Sequence, residues 1–269
     1  MRQLLCRHAV FTAAMLQARL SYRSGFLLVI VSSAIGLLAQ WFLWRAIYGS
    51  DPQRVLAGFR LHEMVSYLLA AQLVHQLIDN RVEHEIAADV LRGDIVVSFV
   101  RPLHYTLQKF FASLGVVAAN GLMVAVPLAA GGALLMDLAL PAWHQAALFA
   151  LSTALSIVIA FLLNAMLGAA AFVTSNIWGL QTMKDALLAI FSGHLIPLSF
   201  FGPGWQQAAE CLPFQAMVYA PVTLLLGKVQ GAEAVLRVLG QQALWVSVLS
   251  AACALVWRAA GRRLEAVGG

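Results

Sequence analysis

The sequence predicts an all-α integral membrane protein of six transmembrane helices, with an N-terminal interfacial helix and a re-entrant element before the last span. Three observations lead there. Of 269 residues, 61% are hydrophobic and only 11% are charged, whereas soluble domains carry roughly 25% charged residues. A chain this poor in charge cannot coat a water-facing surface, so lipid must cover much of it. The apolar stretches are long enough to cross a hydrocarbon layer of about 30 Å, and they lack the alternation over about 10 residues that marks a membrane barrel. Backbone groups in lipid must pair internally, which leaves helices as the spanning elements. Finally, the Lys and Arg residues gather on one side of the predicted spans.

Residues 1–24 do not read as a cleaved leader, because Arg7 and His8 interrupt any apolar core and Arg19 and Arg23 follow it. As a helix they place Leu4, Phe11, Met15, Ala18 and Tyr22 on one stripe, which suits a helix lying in the membrane interface. A cytosolic extension of the first span is the alternative. Span one covers residues 25–47 and ends in Trp41, Trp44 and Tyr48, an expected interfacial aromatic belt. The run Gly49-Ser50-Asp51-Pro52 then marks a turn. Span two covers 62–78, and span three covers 107–136, long enough for a tilt or a surface turn. Pro141 breaks the chain before span four at 143–174. Span five covers 180–198 and span six 241–260.

The stretch 199–227 has a different texture. It is apolar, but Gly202, Pro203, Gly204, Pro213 and Pro221 punctuate it after Pro197, and neither half is long enough to cross. Short, proline-broken apolar pieces fit a re-entrant or interfacial hairpin, tolerated where protein or a wet cavity covers the freed backbone groups. A seventh and eighth span are the competing reading. No internal repeat is evident, so residues 1–269 form one domain.

With both termini in the cytosol, the inside segments hold Arg2, Arg7, Arg19, Arg23, Arg81, Arg92, Arg101, Lys109, Lys184, Arg258, Arg262 and Arg263, and the outside ones Arg54, Arg60, Lys228 and Arg237. Twelve against four is a clear positive-inside bias; Arg45, at the outer end of span one, can snorkel. This bias also accounts for the net charge of +5. No aromatic-and-basic surface stretch or zinc spacing accompanies the charge, so nucleic acid is not an expected partner. Cys6, Cys211 and Cys253 are far apart, odd in number and without a CxxC spacing, and read as small apolar packing residues.

The densest charge cluster is the inside insertion after span two, with Glu83, His84, Glu85, Asp89, Arg92 and Asp94. As a helix from Val82 it puts Val82, Ile86 and Val90 on one face and Glu85, Asp89 and Arg92 on another, and Gly93 ends it. Such an element beside a membrane either docks into a groove on a cytosolic partner or lies solvated with no partner. Chemistry on a substrate is not expected. Adjacent Glu83, His84 and Glu85 do not share a helix face, and neither HExxH nor GxSxG occurs. Gly227-Lys228 lacks both the preceding Gly and the following Ser or Thr of a phosphate-binding loop. No cofactor or metal is expected. The spans are nearly free of charge: Glu63, His75 and Asp79 lie near span ends, and the deep polar residues Asn120, Asn164 and Ser156 read as helix-to-helix contacts. Ala165, Gly168 and Ala169 read as a packing surface. The missing buried charge argues against an ion-coupled transporter and suits an apolar or amphipathic cargo.

Three places together resemble the permease subunits of type-2 ABC transporters, and within them a bacterial branch of small permeases of drug-export type. The first is Trp44-Arg45-Ala46-Ile47-Tyr48. The second is Leu91-Arg92-Gly93-Asp94-Ile95 followed by Val100-Arg101-Pro102-Leu103. The third is Ser192-Gly193-His194-Leu195-Ile196-Pro197, then Leu212-Pro213-Phe214, Tyr219-Ala220-Pro221 and Gly227; the terminal Gly268-Gly269 is a familiar ending. The resemblance runs over nearly the whole chain, through motifs that are individually short. It implies a six-helix half-transporter of the bacterial inner membrane, with a coupling helix in the segment 80–106 and a re-entrant outer segment at 199–227. Its implied partners are a second permease, identical or homologous, and ATP-binding cassette subunits that bind ATP and Mg themselves. Glu85, Asp89, Arg92, Gly93 and Asp94 are the implied coupling contacts, and Pro197, Pro213, Phe214 and Pro221 the implied outer gate. A non-transporting membrane scaffold is the alternative function.

Overall fold

The computed structural model describes residues 2–21, 23–49, 51, 53–95, 104–136, 138 and 141–267, with backbone alone for 2–9, 23–24 and 262–267. The motif Val100-Arg101-Pro102-Leu103, most of the second half of the segment 80–106, Gly268-Gly269 and the Leu4 and Tyr22 side chains of the expected N-terminal stripe lie outside the described residues.

Among the described residues every named element is helical. In chain order they are α1 (Arg2–Leu20), α2 (Arg23–Tyr48), α3 (Leu61–Ile78), α4 (Val82–Arg92), α5 (Tyr105–Leu135), α6 (Trp143–Ala169), α7 (Trp178–Phe191), α8 (Pro203–Glu210), α9 (Tyr219–Leu225) and α10 (Ala232–Val267). Four stretches are long and apolar enough to cross a membrane: Gly25–Tyr48, Tyr105–Leu135, Trp143–Phe172 and Ala232–Gly261. At 1.5 Å per residue each spans about 36–46 Å, enough for the hydrocarbon layer with tilt.

Helices α3 and α7, expected as spans two and five, do not reach that standard. At about 27 Å and with Glu63, Gln72, His75 and Gln76 along its length, α3 is a poor lipid-facing helix. It occupies the centre instead: Met64 to Ala71 are buried without a break, and α2, α5, α6 and α9 pack around it. A helix covered by other helices does not need an apolar face all round. The fourteen residues of α7 rise only about 21 Å, and the helix stops at Phe191 rather than near Leu198. Gly193 ends it with φ of +76°, a conformation that Gly adopts without steric cost, and the Gly193 carbonyl accepts a hydrogen bond of 2.6 Å from Tyr67 Oη.

Helix α5 carries a π-helical turn at Gly121–Ala125. Pro127, just beyond it, has no N–H to donate to the preceding turn, and the wider turn takes up that loss. The N-terminal helix α1 lies along the first half of α5, where Thr12 Oγ1 donates to the Phe111 carbonyl at 2.7 Å. Gly115 permits that approach, since a Cβ there would come within 2.5 Å of the Thr12 carbonyl oxygen.

The expected aromatic belt at the end of α2 is corrected for two of its three residues, Trp41 remaining partly exposed. Trp44 and Tyr48 are buried in protein rather than set at a lipid boundary. Tyr48 Oη donates to the Phe59 carbonyl at 2.7 Å, and Trp44 meets the Phe200 ring edge-on at 5.0 Å between centroids. Both tether loops at the end of the molecule remote from α4.

The proline-punctuated stretch forms two helices of eight and seven residues, α8 and α9, joined through a turn. At about 12 and 10 Å neither crosses a bilayer. Gly202 and Pro203 start α8 as N-cap and first helical residue, where the missing proline N–H is harmless. From Pro213 to Val218 the connecting turn is buried throughout, against α6 and α10.

Candidate functional site

The amphipathic insertion supplies the first half of the site. Helix α4 starts at Val82 and stops at Arg92, with Gly93 at φ +79° as its C-cap, as the alternation of apolar residues and the glycine predict. Its start is an abrupt turn from α3. Asn80 Oδ1 accepts from the Val82 N–H at 3.2 Å, and Arg81 adopts the left-handed region at φ +48°, which costs a side-chain-bearing residue about 1–2 kcal/mol.

One face of α4 grips three other helices. Ile86 is fully buried and sits on Gly168 of α6, where a Cβ would come within 2.7 Å of Ile86 Cβ and 3.0 Å of the Glu83 carbonyl oxygen. Glu83, also fully buried, lies 3.4 Å from Lys184 Nζ on α7. Lys184 in turn donates to Asn164 Oδ1 on α6 at 3.0 Å and pairs with Asp185 at 3.2 Å. Asn164 Nδ2 donates to Asn80 Oδ1 at 3.0 Å, so the turn into α4 belongs to the same network. Lys109 of α5 holds Asp89 at 2.9 Å and Glu85 at 3.5 Å, and Tyr105 Oη donates to Asp89 Oδ2 at 2.7 Å. Glu85 and Asp89 are therefore engaged within the chain.

The other face is open. His84, Leu91, Arg92, Gly93 and Asp94 are exposed, and Leu91, an apolar side chain, is 56% exposed. The expected coupling residues thus divide: Glu85 and Asp89 fasten α4 to α5, while Arg92, Gly93 and Asp94 stand clear. The sequence pattern puts Glu83 in the charged cluster and Lys184 among the basic residues at the inside end of span five; it does not show that they pair, because 101 positions separate them.

Farther along the bundle, a cavity of about 250 Å³ lies between α3, α6 and α7. Lys184 and Asp185 line it from α7, and Phe214 and Met217 of the buried turn line it as well. At its α3 wall His75 stacks on His194, centroids 4.2 Å apart and planes 20° from parallel, and His194 Nε2 lies 3.0 Å from Gln72 Oε1. Of the expected gate residues, Phe214 lines this cavity; Pro197, Pro213 and Pro221 are buried elsewhere in the chain's packing.

Gln242 of α10 holds the turn in place. It is fully buried, donates to the Ala216 carbonyl at 2.7 Å and to the Ser152 carbonyl at 3.1 Å, and accepts from Ser152 Oγ at 2.8 Å. Ser156 Oγ reaches the Ala216 carbonyl as well, at 3.1 Å. The deep polar residues Asn120, Asn164 and Ser156 all join separate elements: Asn120 Nδ2 donates to the Gln76 carbonyl at 3.0 Å. Gln242 escaped the sequence reading because a single Gln at the margin of an apolar stretch looks like a span boundary.

No curated protein matches the chain by sequence. Residues 34–268, most of the chain and all of the geometry just described from the middle of α2 onward, match the family described as ABC-2 family transporter protein. The chain is a multi-pass membrane protein and belongs to the ABC-2 family of transporters as a permease subunit.

Proposed function

We propose that this chain is the permease of an ATP-driven exporter of the bacterial inner membrane, and that α4 is the element through which ATP turnover reaches the bundle. The observation that carries this reading is the two-sidedness of α4. Glu83, Glu85, Ile86 and Asp89 fasten it to α5, α6 and α7, and Leu91, Arg92 and Asp94 stand free on the opposite side. A helix tied to three others moves them when it moves. An exposed leucine flanked by charges is the kind of anchor that a groove on a cytosolic subunit can take.

In this reading α2, α3, α5, α6 and α10 are five of the six spans, and α7 together with the stretch 192–198 after it is the other. Both termini lie in the cytosol, and α8 and α9 form the re-entrant outer segment. Two such permeases, identical or homologous, pair with two ATP-binding subunits, which hold ATP and Mg themselves. Drawing the α4 helices together would pull on Lys184 through Glu83. The cavity that Lys184 shares with Phe214 would then open at the buried turn. The cargo is apolar or amphipathic, since the long spans present little but apolar side chains.

The test is to solubilise tagged protein from its native membrane and identify what is recovered with it. An ATPase with a phosphate-binding loop, in amounts comparable to the permease, is expected. Recovery of the chain alone, or with unrelated membrane proteins, would replace this reading with that of a scaffold.

A further inference from the structure

A second cavity, of about 590 Å³, opens between α1, α2, α3 and the π-helical turn of α5. Two arginines line it, Arg19 of α1 and Arg81 of the turn before α4. Arg81 pairs with Asp79 at 3.3 Å, which uses the one carboxylate in the lining. Arg19 is half-buried and has no ion-pair partner among the described residues. A partly desolvated guanidinium calls for an anion, and a phosphate group matches its planar fork of donors. Amides at the same wall, from Gln76 and Asn120, add polar character.

The opposite wall is apolar and faces outward. Phe26 and Val29 line the cavity from α2, the helix whose apolar stretch is least covered by the rest of the protein. Val29 is 38% exposed, and a Cβ added at Gly25 would meet nothing within 4 Å. The opening therefore joins a cationic end to a lipid-facing side, the two parts of an amphiphile with an anionic head.

We propose that this cleft is a binding site for an anionic phospholipid of the leaflet on the α4 side, with Arg19 and Arg81 against its phosphate and its acyl chains along Phe26 and Val29. The bound lipid brackets α1 to α2 and α3 beside the turn that launches α4, so it steadies the seat of that helix. The site depends on the chain lying in a membrane and not on the direction of transport or the nature of the cargo.

The experiment titrates delipidated full-length protein in detergent with dioleoyl-phosphatidylglycerol, dioleoyl-phosphatidylcholine or inorganic phosphate, and follows the melting temperature by tryptophan fluorescence. Phosphatidylglycerol is expected to raise it at concentrations at least about fivefold lower than phosphatidylcholine, the effect of roughly one basic side chain at a membrane surface. Phosphate alone is expected to have little effect, because it leaves the apolar wall unfilled. Arg19→Gln with Arg81→Asn should abolish the preference; Asn tolerates the left-handed backbone at that position. Gly25→Trp, which fills the opening and keeps both charges, should weaken stabilisation by either lipid, and Arg258→Gln, an exposed basic residue elsewhere, should leave the preference intact. Equal response to the two lipids, a preference surviving in the double variant, or stabilisation reproduced by phosphate would each overturn the proposal.

Discussion

Glu83 on α4 and Lys184 on α7 form an ion pair of 3.4 Å, with the Glu83 side chain all but sealed from solvent and that of Lys184 16% exposed. The two ends are not equivalent. Lys184 also has Asn164 and Asp185, whereas no hydrogen-bond partner other than Lys184 is present for the Glu83 carboxylate among the described residues, and its Oε2 is unmatched.

That inequality leads to the first prediction. Lys184→Met leaves a buried carboxylate without a counter-charge and should destabilise the protein by about 3–5 kcal/mol. Glu83→Gln leaves Lys184 with Asp185 and Asn164 and should cost less, about 1–2 kcal/mol. The double variant should be more stable than Lys184→Met alone. Denaturation of the purified variants in detergent checks the order, and equal losses for the two single changes would show that the pair is not what holds α4 to α7.

Gly168→Ala tests the seat of α4 on α6. The added methyl would come within 2.7 Å of Ile86 Cβ and 3.0 Å of the Glu83 carbonyl oxygen, and neither is the end of a flexible side chain. Overpacking of this kind costs typically about 1–3 kcal/mol. Transport is expected to fall while the chain still inserts. Gly131→Ala on α5, where a Cβ meets nothing within 4 Å, serves as the control and should be neutral or slightly stabilising in a helix. Full transport activity in Gly168→Ala would show that α4 need not sit where it does.

These pairings show what a linear pattern carries and what it does not. The start and stop of α4 were legible because both are local signals: apolar residues at Val82, Ile86 and Val90, and a glycine at 93. The ends of α2, α3, α5 and α6 were legible for the same reason, within a few residues of the expected spans. The burial of Glu83 was not, since a carboxylate among other charges looks solvated until its partner on a distant helix is known. The expected span five overruns the helix because Leu195 and Ile196 continue the apolar run while Gly193 has already turned the chain. Trp44 and Tyr48 have a composition that suits either a lipid boundary or a buried tether, and only the loops around Phe59 and Phe200 decide between them.

Gln242→Leu bears on the buried turn. It removes donors to the Ala216 and Ser152 carbonyls and an acceptor for Ser152 Oγ. A longer contact of 3.3 Å from Gln242 Nε2 to Ser156 Oγ is lost as well. At an average of only about 0.6 kcal/mol for each hydrogen bond between helices in a membrane, the loss of the four predicts about 2 kcal/mol, measured by unfolding in detergent. Ser156 still reaches the Ala216 carbonyl, which limits the damage. Gln242→Glu should be worse than Leu, since it removes the amide donors and adds the desolvation of a charge. A loss below about 0.5 kcal/mol for Leu would mean that Ser156 alone suffices to hold the turn.

The two sides of α4 can be told apart by a pair of variants. Asp89→Arg strips Lys109 and Tyr105 of their shared acceptor and sets a second cation beside Lys109, so it should abolish transport through loss of stability while the chain still inserts. Leu91→Asp alters a residue that is 56% exposed, and substitutions at such surface positions usually move stability by no more than about 0.5 kcal/mol. If Leu91 anchors the ATP-binding subunit, the same change should cut recovery of that subunit at least about tenfold, as removal of a central apolar anchor does. The measurement is a quantitative pull-down of each variant alongside its melting temperature. Loss of the partner with an unchanged melting temperature places the contact on the free face of α4. Undiminished recovery with Leu91→Asp would move the contact to another part of the same end of the molecule.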